Sequence, residues 1–179
     1  LYIGIYKQCQ KKWLKMFEVI DNFLDKKIFK NIQENIFYNE NFPWYFSPVL
    51  DYVGEKGFDQ SKFVHVFYSH NSPNSKSMDL LLPIIKKLKC ISLIRIKANS
   101  NYYTNKIMEG KYHIDNKHKG TTTAIYYLNT NDGYTKFKKN NKKIYSVENR
   151  MVIFNTDTEH LGTTTTNAKR RVVLNFNYF

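Results

Sequence analysis

Cysteine is almost missing from this 179-residue chain: only Cys9 and Cys90 occur, and neither has a partner at metal-site or redox-motif spacing. That excludes a disulfide scaffold and fits a reducing compartment. Long apolar runs are missing too. No stretch approaches the roughly 18 residues that cross a bilayer. Leu1 to Lys15 carries several Lys and Gln with neither a signal-peptide core nor a cleavage pattern. A soluble, cytoplasmic protein with no membrane partner is expected. Acidic side chains are scarce, with 15 Asp and Glu against 28 Lys and Arg and a net charge of +13. Such a field attracts anionic partners, among them nucleic acid, phosphate or an acidic protein. The Lys excess accompanies many Asn, Ile, Tyr and Phe, the residues that A+T-rich codons favour, so genome base composition accounts for it equally well. Low-complexity linkers and internal repeats are absent.

What is present is apolar and aromatic content, 42% and 16% of the chain, enough to bury the core of one domain and too little chain for two. Trp13 to Phe37 has apolar residues at helical spacing, Ile28, Ile32 and Ile36 among them, and reads as one helix or as one broken near Asp21 to Asp25, with Asp25 placed to cap the second half. The prolines of Asn41-Phe-Pro-Trp-Tyr-Phe-Ser-Pro48 stop that helix. Phe63 to Tyr68 is strand-like, Asn71 to Ser77 a loop, and Leu80 to Leu88 a short helix with Pro83 near its first turn. Thereafter the pattern changes. Ile91–Lys97, Thr121–Asn129, Tyr134–Phe137, Arg150–Asn155 and Arg171–Phe179 are short apolar runs divided by polar turns. Helices first and strands afterwards predict an α+β fold whose second half is a barrel or sandwich.

Chemistry concentrates in that second half. His113 and Asp115 stand two apart, so an extended backbone aims both side chains to one face. His160 follows the apolar run Met151–Phe154, and Arg171 heads the final run. Two imidazoles and one carboxylate on one side of an Fe(II) ion leave three positions open for a bidentate co-substrate and dioxygen. A buried guanidinium at a strand start is costly unless it grips an anion, and a dicarboxylate would supply one. Arg170, on the opposite face, is expected to be solvated. His118 sits in a polar loop, while His65 and His70 flank a strand, where packing or surface roles are expected.

His113-Ile-Asp115-Asn116, Thr123-Ala-Ile-Tyr-Tyr-Leu-Asn129, Asp132-Gly133, Asn149-Arg-Met-Val-Ile-Phe154, His160 and Arg171-Val-Val-Leu-Asn-Phe-Asn-Tyr-Phe179 together resemble the Fe(II)/2-oxoglutarate oxygenase superfamily. The branch resembled is the prolyl 4-hydroxylase-like one, including small phage-encoded members, for which the compartment would be the host cytoplasm. The resemblance implies a double-stranded β-helix (jelly-roll) barrel buttressed by N-terminal helices. It also implies one oxygenase domain over residues 1–179, with about 1–90 as support and about 91–179 as the metal-bearing barrel core. Its implied iron ligands are His113, Asp115 and His160. Arg171 would hold the distal carboxylate of 2-oxoglutarate, Tyr127 would reach the same carboxylate, and Asn175, Thr123 and Ile125 would line the co-substrate pocket. Implied too are Fe(II), 2-oxoglutarate, dioxygen and ascorbate as reductant. The product side would be hydroxylation of a prolyl or other peptidyl C–H bond with release of succinate and CO2. One departure is Ile96 after Arg95, where relatives often have tyrosine. A second is Asn177, six beyond Arg171, where nucleic-acid demethylases place a second arginine, so the motif does not support the nucleic-acid partner that the charge allows. Alternatives in other classes are a Zn-dependent hydrolase on the same ligands, which leaves Arg171 without a task, and a non-catalytic DNA- or protein-binding barrel.

Overall fold

The structure, a computed structural model, describes residues 16–48, 50, 51, 58, 59 and 61–179. In chain order the described elements are β1 (Phe17–Ile20), α1 (Lys26–Gln33), a π-helical turn (Glu34–Tyr38), β2 (Tyr45–Ser47), β3 (Leu50–Asp51), β4 (Phe58–Asp59), β5 (Lys62–Ser69) and β6 (Ser72–Pro73). A 3-10 turn (Met78–Leu81) runs into α2 (Leu82–Leu88). Then follow β7 (Leu93–Tyr102), β8 (Thr122–Tyr127), β9 (Tyr134–Phe137), β10 (Lys143–Tyr145), β11 (Arg150–Asn155), β12 (His160–Gly162) and β13 (Arg170–Tyr178). The major sheet has the order β1-β11-β8-β13-β7-β5-β2, with β6 on β5; a second sheet runs β10-β9-β12, and β3 pairs with β4. All these pairings are antiparallel. This is an α+β double-stranded β-helix.

Alternation along the central strands builds two cores. On β13, Val172, Leu174 and Phe176 face the helices, where they pack with Tyr126 of β8, Ile96 of β7, Phe29 and Ile32 of α1, and Ile84 of α2. Val173 faces the other way, into a smaller cluster between the sheets with Ile125 and Tyr127 of β8, Val152 and Phe154 of β11, Phe137 of β9 and Ile144 of β10. Both strands are covered on both faces, β8 being buried from Thr123 to Tyr127 and β13 from Arg171 to Tyr178. Asn149, at φ 59°, ties the helical layer to the sheet: its Oδ1 accepts from the Leu24 N–H at 2.9 Å and the Tyr126 hydroxyl at 2.6 Å.

Two expectations need correction. The helix expected over Trp13–Phe37 begins only at Lys26, capped by Asp25, whose carboxylate accepts from the Lys27 N–H at 2.9 Å. Ahead of it Phe17–Ile20 is a strand, paired with Phe154–Met151. A sheet edge open to β-branched and aromatic residues overrode a helical spacing that spans this short segment too; Trp13 lies outside the described residues. Arg170 is not solvated: it is half-buried, its guanidinium 4.8 Å from the Phe37 ring centre and 5.7 Å from that of Trp44, and it donates to the Phe37 carbonyl. Pro83 does sit in the first turn of α2. Among the described residues no helix is long and apolar enough to cross a membrane.

Candidate metal centre

His113 and His160 meet through a backbone bridge in which each N–H donates to the other's carbonyl, at 2.9 and 3.0 Å. The pairing sets the imidazole centres 4.7 Å apart. His160 therefore comes from the first residue of β12, not from β11 as the Met151–Phe154 run suggested. Three-residue β12 carries too little apolar pattern to be seen in sequence. In both residues Nδ1 lies within hydrogen-bond distance of a carbonyl two positions earlier, Lys111 at 3.0 Å and Thr158 at 2.9 Å. A carbonyl only accepts, so each Nδ1 carries a proton and each Nε2 is left as the atom that can turn to a metal. Asp115 completes the group, its Oδ1 3.9 Å from His113 Nε2 and its Oδ2 4.0 Å from His160 Nε2. Among the described residues this is the one cluster of three His, Cys, Asp or Glu side chains that could hold a metal ion, its donor atoms lying within 4.8 Å of one another.

The surroundings keep the trio in ligand form. Asp115 is buried, and its Oδ2 accepts from Thr123 Oγ1 at 3.0 Å, Asn175 Nδ2 at 3.1 Å and Asn177 Nδ2 at 3.2 Å. Its Oδ1 faces the Arg95 guanidinium at 3.6 Å. Burial alone would raise the Asp115 carboxyl, but its neighbours His160, Asn175, His113 and Arg95 prevail and hold it below the usual carboxylate range. Burial pushes His160 below the ordinary histidine value, more than Asp115 draws it up, so it is neutral at neutral pH. One ionised carboxylate with two imidazoles suits a divalent first-row ion.

Arg171 enters the same barrel interior and is buried, at 3% exposure. Its Nε donates to Ser146 Oγ at 2.8 Å and an Nη to Thr135 Oγ1 at 3.3 Å, and its Cζ stands 5.5 Å from the Tyr127 ring centre. Among the described residues no carboxylate pairs with it. A buried guanidinium with five donors and two neutral partners is set for an anion. Gly133 makes room for it: a Cβ there would come within 2.5 Å of Arg171 Cδ and 2.6 Å of the Thr164 carbonyl.

The remaining candidates divide between these two centres. Tyr127 is at the Arg171 end, fully buried, and its hydroxyl donates to Thr135 Oγ1 at 2.8 Å. Thr123 and Asn175 are at the carboxylate end, touching Asp115. Ile125 pairs with Asn175 across β8 and β13 and belongs to the apolar cluster between the sheets. Asn116 supports the turn, accepting from the His118 N–H and Thr121 Oγ1. His65 is bound to the Pro43 carbonyl and Ser75, and His118 is exposed, so neither joins the trio. Burial pushes the Cys90 thiol up to about 11, which leaves it un-ionised and unreactive. Sequence reasoning missed Asn177, Arg95, Ser146 and Thr135. Asn177 was accessible from the alternation that had put Asn175 on the inner face; the others become partners only when distant strands close the barrel.

A jelly roll carrying a two-histidine, one-carboxylate group and a buried anion anchor defines the architecture of a non-haem metal oxygenase. Residues 99–179, which hold the trio and Arg171, match the model of the 2OG-Fe(II) oxygenase superfamily. That match, over the stretch that carries the site, indicates a 2-oxoglutarate- and Fe(II)-dependent oxygenase. Solved structures share its fold. A viral collagen prolyl hydroxylase from Paramecium bursaria Chlorella virus-1, in complex with 2OG, has a TM-score of 0.58 at 15% identity, covering 92% of this chain and 96% of that one. A prolyl hydroxylase from Trichoplax adhaerens, in complex with a hypoxia inducible factor peptide fragment, has 0.62 at 14%, covering 92% and 84%. A Pseudomonas putida prolyl-4-hydroxylase has 0.54 at 13%, covering 92% and 93%. No curated protein sequence matches the chain.

Proposed function

We propose that the protein hydroxylates a C–H bond of a peptidyl substrate, a prolyl residue first among the candidates, with His113, Asp115 and His160 as the iron ligands. The observation that carries this is the pairing of that trio with a buried, carboxylate-free Arg171 in one barrel interior. When bound, Fe(II) and 2-oxoglutarate supply the oxidative chemistry, dioxygen giving one oxygen atom to succinate and one to the substrate carbon as CO2 leaves. The chain's own part is positioning. Arg171, with Tyr127 and Thr135 beside it, grips the far carboxylate of the diacid through a two-pronged pair. Thr123, Asn175 and Asn177 hold Asp115 in one orientation, and the Lys111 and Thr158 carbonyls hold the imidazoles. Ile125 and its apolar neighbours keep water from the interior side of the site. Ascorbate serves as the reductant that maintains the ferrous state. The chain acts as one oxygenase unit in the cytoplasm, its first 90 or so residues supporting the barrel. A cleft beside His113, walled by Ser61, Lys62, Asn101, Lys111, Gly162 and Thr164, is the entry for substrate.

The test is succinate release by purified protein supplied with Fe(II), 2-oxoglutarate and ascorbate, with and without proline-containing peptides. Turnover in the parent and its loss in Asp115→Ala are expected. An Asp115→Ala protein that turns over at the parent's rate refutes the assignment.

A further inference from the structure

The inner wall of β7 is more cationic and less satisfied than an iron and a diacid require. Ile96 and Ala98 turn to the helical core, both fully buried, so the alternate residues Arg95, Lys97, Asn99 and Asn101 face the barrel interior. Register sets Asn177 opposite Arg95, Asn175 opposite Lys97, and Arg171 opposite Asn101. Lys97 thus lies beside the asparagine that bonds Asp115, with Val66 of β5 on its other side. Among the described residues six buried side-chain polar atoms lack a partner; three are on this wall, Arg95 Nε and the amide oxygens of Asn99 and Asn101, and a fourth, the Asn175 amide oxygen, is on β13 opposite Lys97. Buried polar groups are ordinarily paired, so such a concentration marks a surface completed by a ligand. Lys97 itself makes no hydrogen bond or ion pair among the described residues. Burial, with Arg95 and Lys62 nearby, pushes its ammonium down to about 8, against the pull of Asp115. Crowded, partly desolvated like charges are tolerated where an anion docks.

Resting on the function proposed above, we infer that Lys97, flanked by Arg95 and Lys62, forms a subsite for an anionic side chain of the peptidyl substrate, a carboxylate or a phosphate, next to the residue that is oxidised. The diacid does not fill this subsite. Its near carboxylate would go to the metal held by the trio and its far one to Arg171, four residues from Asn175 along β13, about 13 Å of strand. Lys62 and Lys111 line the entry cleft, so the approach is cationic as well and draws acidic segments inward. Single-stranded nucleic acid is a poorer match. It needs successive aromatic platforms, and Tyr102 is the one aromatic in the cleft lining.

The experiment uses the full chain loaded with Mn(II) and 2-oxoglutarate. Its probes are fluorescein-labelled peptides with one proline flanked by two glutamates, the glutamine isostere, the phosphoserine counterpart, and a thymidine oligonucleotide. Anisotropy is expected to show the glutamate or phosphoserine peptide bound about tenfold or more tighter than the glutamine peptide, as for a partly desolvated charge pair. Which anion binds tighter tells carboxylate from phosphate. Lys97→Gln should bring the ratio toward one and Lys97→Arg should restore most of it. Lys62→Gln, at the cleft, should reduce it about threefold, a second variant in case Lys97→Gln does not fold. Equal binding of charged and neutral peptides by the parent overturns the inference. So does a ratio that survives Lys97→Gln, or oligonucleotide binding tighter than any peptide and lost in that variant. Peptide-free succinate release with Fe(II), measured alongside, reports on the oxygenase assignment separately: its absence refutes that assignment, while charge-selective binding is judged on the anisotropy alone.

Discussion

Replacing Arg171 by methionine separates what this guanidinium does for the fold from what it does for the co-substrate. In the free protein the change removes hydrogen bonds to Ser146 and Thr135 and a stack on Tyr127. These are worth about 1 kcal/mol each. It also removes a buried charge that no carboxylate compensates, and exchanging such a charge for an apolar side chain of similar volume stabilises by about 1–4 kcal/mol. The two effects nearly cancel, so the metal-free variant should melt within a few degrees of the parent. With 2-oxoglutarate present the comparison changes. Losing one side of a buried, two-pronged charge pair costs about 2–5 kcal/mol. That raises KM for 2-oxoglutarate by about 30-fold to several thousand-fold. It also cuts the thermal shift, from the about 2.7 kcal/mol that the parent gains at a hundredfold excess over Kd to about 0.9 kcal/mol or less at the same concentration. Thermal melts with and without the diacid, together with succinate kinetics, read both quantities. A variant whose KM stays within threefold of the parent's, or one that cannot fold, would show that Arg171 is a structural cation and defeat the reasoning.

Three further outcomes follow from the same geometry. Gly133→Ala, whose new methyl would press on Arg171 Cδ and the Thr164 carbonyl, should raise KM for 2-oxoglutarate about tenfold or more, with iron affinity at the parent's level by titration. Thr123→Val takes one of three donors from Asp115 Oδ2 and should weaken Fe(II) binding about 10- to 100-fold in a chelator competition, with KM for the diacid measured as control. Burial holds His65 and His160 below their ordinary value of 6.5, so the unfolded chain takes up protons that the folded chain refuses. Stability of the metal-free protein is therefore full above about pH 6.5 and falls as pH drops below it, seen as a lower melting temperature at pH 5.5 than at 7.5. A flat profile there would contradict neutral buried imidazoles.

The sequence disclosed the site better than the elements that carry it. His113, Asp115, His160 and Arg171 are residue types with few reasons to be buried, and their order along a run of short strands was visible without coordinates. The partners that give them their state were not. Thr135 and Ser146 are ordinary hydroxyl residues whose role begins only when β9 and the turn before Arg150 close over Arg171. Phe17–Ile20 has a spacing compatible with a helix, and only the free edge of β11 makes it a strand. Arg170 seemed a surface charge because its flat guanidinium shelters on Phe37 and Trp44, side chains more than 120 residues away.

One alternation on β13 builds core and chemistry together. Odd positions place Arg171, Val173, Asn175 and Asn177 inside the barrel, and even ones place Val172, Leu174 and Phe176 against the helices. A slip of one residue would bring the apolar set to the metal and press a guanidinium and two amides into the helical core. The fully buried Leu174 and Phe176 therefore specify the register that aims Arg171 and Asn175 from the opposite face of the strand. Carrying three polar side chains on a strand buried over eight of its nine residues lowers stability relative to an apolar strand. Apolar substitution at Asn177 should therefore raise the melting temperature while loosening Asp115, a trade of stability against iron affinity.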